Sequence, residues 1–290
     1  MALVHRTLCV PGLVDRDRPI VMGVVNVTPD SFSDGGHYLA ADAAIAHGHA
    51  LLADGADVLD VGGESTRPGA TRPLVSEELN RVLPVIRELA AAGAVVSVDT
   101  MRSEVAQAAL EAGARIINDV SGGLADPHIL AVAAAADAAY IAMHWRGHST
   151  VMADRAKYDD VVAEVRAELQ TRADAALAAG IAPDHLAIDP GLGFAKTADH
   201  NWSILADIEA FDLGFPILLG ASRKSFLGAL LADSDGVPRA VDERENASVA
   251  LATLAALAGV WGVRVHDVTA HRDALRVVAR LRAAGRVEEV

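Results

Sequence analysis

Residues 93–119 read GAVVSVDTMRSEVAQAALEAGARIIND. Two short apolar runs, Val95 to Asp99 and Arg115 to Asp119, flank an alanine-rich stretch with helical spacing, Ser103 to Ala112. Apart from Ser97 and the leading Arg115, each run is apolar until it ends on polar residues. That is what a strand covered on both faces requires, and parallel strands are the ones covered that way. Gly93-Ala94 and Gly113-Ala114 precede the two runs, where glycine tolerates the left-handed stop of a preceding helix. The segment reads as a strand, a helix and a second parallel strand.

Working outward, the pattern repeats in both directions at intervals of roughly 25 to 45 residues. The further runs are Val21 to Val27, Val58 to Gly62, Ala139 to His144, Leu186 to Asp189, Ile217 to Gly220 and Val263 to Asp267, making eight in all. Helices are expected over Ala40 to Asp54, Ser76 to Ala92, Asp159 to Ala179 and Asn246 to Ala258. Gly55-Ala56 and Gly180-Ile181 repeat the helix-stop signal. Such alternation implies right-handed crossovers into a barrel or an open doubly wound sheet. A chain of 290 residues is long for one ordinary domain, but closed α/β barrels commonly reach about 250 residues as one core. No linker, charge block or low-complexity tract interrupts the series, so one (β/α)8 TIM-barrel domain over residues 1–290 is expected. Residues 1–18, with Val10-Pro11-Gly12, are expected to form a short N-terminal hairpin closing the barrel bottom.

Composition limits the partners. The formal net charge of -14 disfavours nucleic acid and anionic membranes, because both need a basic face. The single cysteine, Cys9, excludes an intrachain disulfide and a cysteine-based zinc site, and it suits a reducing cytosol. With neither a secretory signal nor an apolar run of the roughly 18 residues that span a bilayer, a cytoplasmic location is expected.

In such a barrel the strand carboxyl ends and the loops after them build the active site. The ends here are polar: Asn26, then Gly62-Gly63-Glu64-Ser65-Thr66-Arg67, Asp99-Thr100, Asn118-Asp119, His144, Asp189, Ser222-Arg223-Lys224 and Arg264 with His266-Asp267. Any one of them has a duller explanation, a helix cap for Asp99-Thr100 or a satisfied turn for Asn118. Eight together point to a shared site. Asp99, Asn118 and Asp189 suit the donor edge of a flat heterocycle such as an aminopyrimidinone. Lys224, Arg264, His266 and Arg67 supply cations for an oxyanion such as diphosphate. The carbonyl oxygen of Asn26 suits either Mg²⁺ or an ordinary strand-end hydrogen bond. His144 beside Trp145 receives no role, and Gly191 with Gly193 lacks the dinucleotide spacing.

The blocks MGVVNVTPDSFSDGG (22–36) and DVGGESTRPG (60–69) are specific, and weaker blocks follow in order: Ser97 to Thr100, Ile117 to Gly123, Asp189 to Phe194, Ser222 to Gly228 and Arg264 to Asp267. Together they resemble dihydropteroate synthase, the sulfonamide-target family of folate synthesis, from about Ile20 to Val278. The resemblance implies that Asp99, Asn118, Asp189 and Lys224 hold a pterin deep in the barrel. It implies Mg²⁺ at Asn26 and diphosphate at the Arg264, Val265 and His266 block. Thr66, Arg67 and Pro68, with Phe32, would close over the site and form the p-aminobenzoate pocket alongside Phe194 and Ser225. Asp34 would lie near the reacting methylene, so that Asp99, Asp34, Lys224 and Arg67 form the catalytic set. A homodimer packed through Asn246 to Gly259 is also implied. The rival readings are a methyltetrahydrofolate–corrinoid methyltransferase, a non-catalytic pterin-binding paralogue and a purely structural barrel.

Overall fold

The computed structural model describes residues 3, 4, 6–27, 37–64, 72–148, 152 and 154–285. Eight parallel strands run β1 (Ile20–Asn26), β2 (Val58–Gly62), β3 (Val96–Asp99), β4 (Ile116–Asp119), β5 (Ala139–Met143), β6 (Leu186–Asp189), β7 (Leu218–Leu219) and β8 (Gly262–Val265). They lie in the order β6-β5-β4-β3-β2-β1-β8-β7, and a parallel bridge between Ile188 and Ile217 closes the β6–β7 seam. The expected (β/α)8 barrel is what forms.

Helices α1 (His37–Asp54), α2 (Val75–Ala91), α3 (Ser103–Glu111), α4 (His128–Ala135), α5 (Val161–Ala178) and α6 (Ala198–Ala206) follow the first six strands in turn. Between β7 and β8 stand two helices, α7 (Ser225–Leu230) and α8 (Glu245–Ala258), and α9 (Val268–Ala283) follows β8. In α2 the residues Val82, Val85, Ile86 and Leu89 are fully buried at i, i+3, i+4 and i+7, the stripe a helix needs to lie on a sheet. Each such side chain contributes roughly 1.5–3 kcal/mol by leaving water. Gly55, Gly93, Gly113 and Gly180 all take positive φ after their helices, as their spacing implies.

Alternation along the strands sorts residues into two compartments. Met22, Val58, Ile116, Ile141, Ala187 and Leu218 share the inner cluster, whereas Val21, Leu59, Val61, Val98, Ile117 and Val265 pack outward with the helices. Leu8, Val10 and Leu13 join the inner cluster from the N-terminal segment. That segment reverses at Pro11-Gly12, where the Leu13 N–H donates to the Val10 carbonyl, and the Cys9 N–H donates to Asp184 O. Among the described residues it carries no strand. The bottom is therefore closed by apolar side chains and not by the ladder of a hairpin.

Candidate active site

The inward parity that buries Met22 and Ile116 also turns Asp60, Asp99, Asn118, Asp189 and Arg264 into the lumen at the strand carboxyl ends. Arg264 Nε donates to Asp60 Oδ2 at 2.6 Å and Nη2 donates to Asp99 Oδ2 at 2.8 Å. Asn118 Nδ2 donates to the same Asp60 oxygen at 3.0 Å. Two carboxylates thus share one guanidinium, which leaves an excess negative charge. Burial, with Arg264 opposing it and Asp60 adding to it, raises Asp99 to about 7.

Across the mouth, Asp189 Oδ1 accepts the Gly191 N–H at 2.7 Å, and its pKa is raised by burial against the pull of that bond and of Lys224. Lys224 Nζ lies 4.1 Å from the centre of the Phe194 ring. Burial lowers Lys224 to about 8, with Asp189 working the other way. Phe194 belongs to an apolar wall with Met101, Val120, Met143 and Trp145. A flat heterocycle would therefore meet carboxylates and an amide on one side and an apolar face with a cation on the other.

The turn carrying Lys224 is held from behind. Arg223 adopts φ +59, uncommon for a residue other than glycine. Its N–H donates to Ser248 Oγ, its Nε to Glu245 Oε2, and its carbonyl accepts from Arg244 Nη1. These ties from α8 and the residue before it keep Lys224 aimed across the mouth.

His266 differs from expectation in charge. Its Nδ1 meets Ser222 Oγ at 2.9 Å, and burial followed by Arg264, Arg223 and Lys224 lowers it to about 3. The hydroxyl also accepts the His266 backbone N–H at 3.3 Å, and in the tautomer where its own proton goes to Nδ1 the ring hydrogen is on Nε2. The ring is a neutral donor and not the cation expected of it. Val265 departs further: its side chain is 1% exposed in the outer core, so strand parity keeps it out of the mouth. Asp267 caps α9, accepting the Ala270 N–H at 3.1 Å. Asp119 also faces outward, accepting from Tyr140 Oη, Ser121 Oγ and the Gly123 N–H, which makes it a structural acid. Asn26 ends β1 exposed, and Ser225 starts α7 exposed. Phe32, Asp34, Thr66, Arg67 and Pro68 lie outside the described residues.

Two members of the site carry no role in the sequence reading. Asp60 had a signal, an acid in the middle of an apolar run, which only a partner inside the barrel explains. Lys196 had none. Its Nζ meets His144 Nδ1 at 2.8 Å, Gly191 O at 3.0 Å and Phe194 O at 3.1 Å.

A barrel whose mouth joins heterocycle-pairing acids to lysine and arginine defines a pterin-binding enzyme, and the family model described as pterin binding enzyme matches residues 22–266. The dihydropteroate synthase of Mycobacterium leprae (strain TN) is 57% identical over 273 residues, covering 93% of this chain and 96% of that protein. The solved Xanthomonas albilineans dihydropteroate synthase with 4-aminobenzoic acid superposes with a TM-score of 0.85 at 48% identity, over 92% of this chain and 94% of that one. The Burkholderia cenocepacia dihydropteroate synthase complexed with 7,8-dihydropteroate gives a TM-score of 0.86 at 38% identity, over 98% and 100% of the two chains. The chain belongs to the dihydropteroate synthase family.

Proposed function

We infer that this chain condenses (7,8-dihydropterin-6-yl)methyl diphosphate with p-aminobenzoate, releasing 7,8-dihydropteroate and diphosphate. The buried network of Asp60, Asp99, Asn118 and Arg264 carries this reading, because it places paired acids and an amide opposite Lys224 at the one end of the barrel where chemistry occurs. In the reaction the methylene–oxygen bond breaks, the electron pair leaves with diphosphate, and the amine nitrogen forms the new bond and loses a proton. We assign Asp99, Asn118, Asp189 and Lys224 to the pterin. Arg264 and the neutral Nε2–H of His266 face the leaving group, Arg264 as the charged partner. Asp99 has a second task, offsetting positive charge that develops on the pterin methylene as diphosphate departs. Phe194 and Ser225, with Phe32, Thr66 and Pro68, are assigned to p-aminobenzoate. Arg67 and Asp34 complete the site when the first two loops close and exclude water.

Mg²⁺ fits as an ion brought with the diphosphate. Mg²⁺ needs only one or two protein oxygens beside substrate phosphate, and exposed Asn26 offers one at the mouth. When bound, it would stabilise negative charge on the departing oxygens. Among the described residues, the one grouping of three side chains spaced to hold a metal, Cys9, Asp184 and His185, belongs to the opposite end of the barrel.

A homodimer through α8 is consistent with Leu254 and Leu257 being exposed there and Val277 and Leu281 on neighbouring α9. Among the described residues no helix is long and apolar enough to cross a membrane, and we place the enzyme in the cytoplasm with its substrates.

The test is direct. Purified protein with Mg²⁺, the pterin diphosphate and p-aminobenzoate should yield dihydropteroate and an equal amount of diphosphate. Tight pterin binding without product above the uncatalysed background would mark a binding paralogue and overturn the reading.

A further inference from the structure

The loop between β6 and α6 does not hold its shape by local preference. Gly191, Gly193 and Ala195 all take positive φ, and left-handed backbone is strained at a residue with a Cβ, as at Ala195. A Cβ on Gly191 would lie 2.5 Å from the His144 carbonyl oxygen, so the loop is pressed against the end of β5. Something must gather it there.

Lys196 does so. Burial lowers Lys196 to about 7, with Asp189 working the other way, and as an ammonium it has three hydrogens for the three acceptors it meets: Gly191 O, Phe194 O and His144 Nδ1. The two carbonyls belong to the two ends of one turn, itself closed by the Phe194 N–H on Gly191 O at 3.1 Å. His144, 1% exposed, is held from its other side, with Nε2 2.9 Å from Glu168 Oε2. A carboxylate at Nε2 fixes the proton there and leaves Nδ1 as the acceptor that Lys196 requires. The lysine, the histidine and the glutamate therefore form one chain of compatible donors and acceptors. It runs from α5 to the loop whose Gly191 N–H orients Asp189 and whose Phe194 ring lies against Lys224.

We propose that Lys196, set by His144, is a positioning residue for p-aminobenzoate: it fixes the 191–195 turn and so the Phe194 face of that substrate's pocket. The proposal rests on the assignment of Phe194 to p-aminobenzoate above. Asp189 is placed mainly by β6 and Lys224 by the ties of its own turn to Arg244, Glu245 and Ser248, so loss of the clamp should disturb the pterin half of the site less than the Phe194 face.

Steady-state kinetics with both substrates test it, using Lys196→Met, His144→Leu, His144→Asn and the Lys196→Met/His144→Leu pair. Wild-type turnover in the same assay separates failure of this proposal from failure of the synthase reading. Losing a charge-assisted bond should raise KM for p-aminobenzoate about tenfold in Lys196→Met and His144→Leu, while kcat and pterin diphosphate binding change by less than about threefold. The double variant should be within about twofold of Lys196→Met, because the two residues act as one unit. His144→Asn, whose amide oxygen stands near the Nδ1 position, should restore KM to near wild type. A merely structural lysine would lower stability and leave this split unmoved. Unchanged KM in both single variants, or additive effects in the pair, would overturn the proposal. Should Lys196→Met fail to fold, the two His144 variants decide: equal KM values for Leu and Asn refute it.

Discussion

Arg264 Nε donates to Asp60 Oδ2 at 2.6 Å across the lumen, joining β8 to β2 although β1 lies between them in the sheet. Asp60 is fully buried and accepts Asn118 Nδ2 on the same oxygen. The acid therefore holds both Asn118, assigned above to the pterin, and Arg264, assigned to the leaving group, without being placed to react.

Removing that acid should damage binding and stability together. Asp60→Ala leaves the Asn118 amide without its acceptor and Arg264 with Asp99 as its one carboxylate partner, and hydrogen bonds to a buried charge are worth roughly 1.5–3 kcal/mol. Chemical denaturation should show that loss, and calorimetry with a pterin ligand should show affinity weakened by at least about tenfold, since oriented donors and acceptors are lost together. Full retention of affinity would remove Asp60 from the site.

Asp99 makes stability and function oppose each other. Its folded pKa of about 7 lies above its ordinary 3.8, so protonation favours the fold. The penalty is absent below 3.8, grows as pH rises through the window from 3.8 to 7, and is full above it. Asp99→Asn should melt above wild type at pH 8, with the difference shrinking by pH 5, while turnover is lost. A variant less stable than wild type at pH 8 would contradict the assigned balance of burial over the Arg264 pair.

The architecture and most of this site were legible because strand parity is a local property. Val58–Gly62 and Leu186–Asp189 coincide with their sequence boundaries, each ended by glycine or a Pro-Gly turn. Ile217 to Gly220 shrinks to Leu218–Leu219, because beyond them Ile217 makes only one bridge, a closure that no sequence window contains. The same parity already implies that Val265 turns outward once Arg264 turns inward. Asp99 and Asp267 look alike as strand-end acids, yet one faces Arg264 and the other caps α9, a choice made by distant partners. Lys196 was invisible for the same reason, since its ring partner lies on another strand end. The six-residue α7 is too short to show a helical period.

The neutral state of His266 predicts an acid limit to stability. Its folded value of about 3 is below its ordinary 6.5, so its contribution is fully present above 6.5 and is lost as pH falls from 6.5 towards 3. His144, lowered to about 4 by burial and then by Lys196, adds to the same loss. In thermal melts between pH 6.5 and 4, His266→Gln should lose stability less steeply than wild type. Parallel curves would show that the ring titrates normally.

Lys224 and Arg67 should separate binding from turnover. Lys224 faces both Phe194 and the charge of Asp189, so Lys224→Ala should weaken pterin binding by about tenfold or more, the worth of a charge-assisted contact. Arg67→Ala should leave pterin binding within about threefold and lower kcat, as expected of a group engaged only during reaction. Unchanged turnover in Arg67→Ala would displace the second loop from the site.

The Mg²⁺ assignment gives a prediction of ordered dependence. Asn26 is neutral and stands alone as the proposed protein ligand, so metal affinity should come mainly from the diphosphate. Calorimetry should then find Mg²⁺ binding that is weak to the free protein and strengthened when diphosphate is present. The coupling must be reciprocal, with diphosphate binding tightened by Mg²⁺ by the same factor. Chelation should stop turnover while sparing the binding of a pterin that lacks phosphate, because the acids assigned to the ring are not among the residues proposed to hold the metal. Asn26→Ala should raise the Mg²⁺ concentration needed for half-maximal rate by about tenfold, the scale of one lost polar ligand contact. Tight Mg²⁺ binding to the protein alone would require further ligands and would move the ion away from the leaving group.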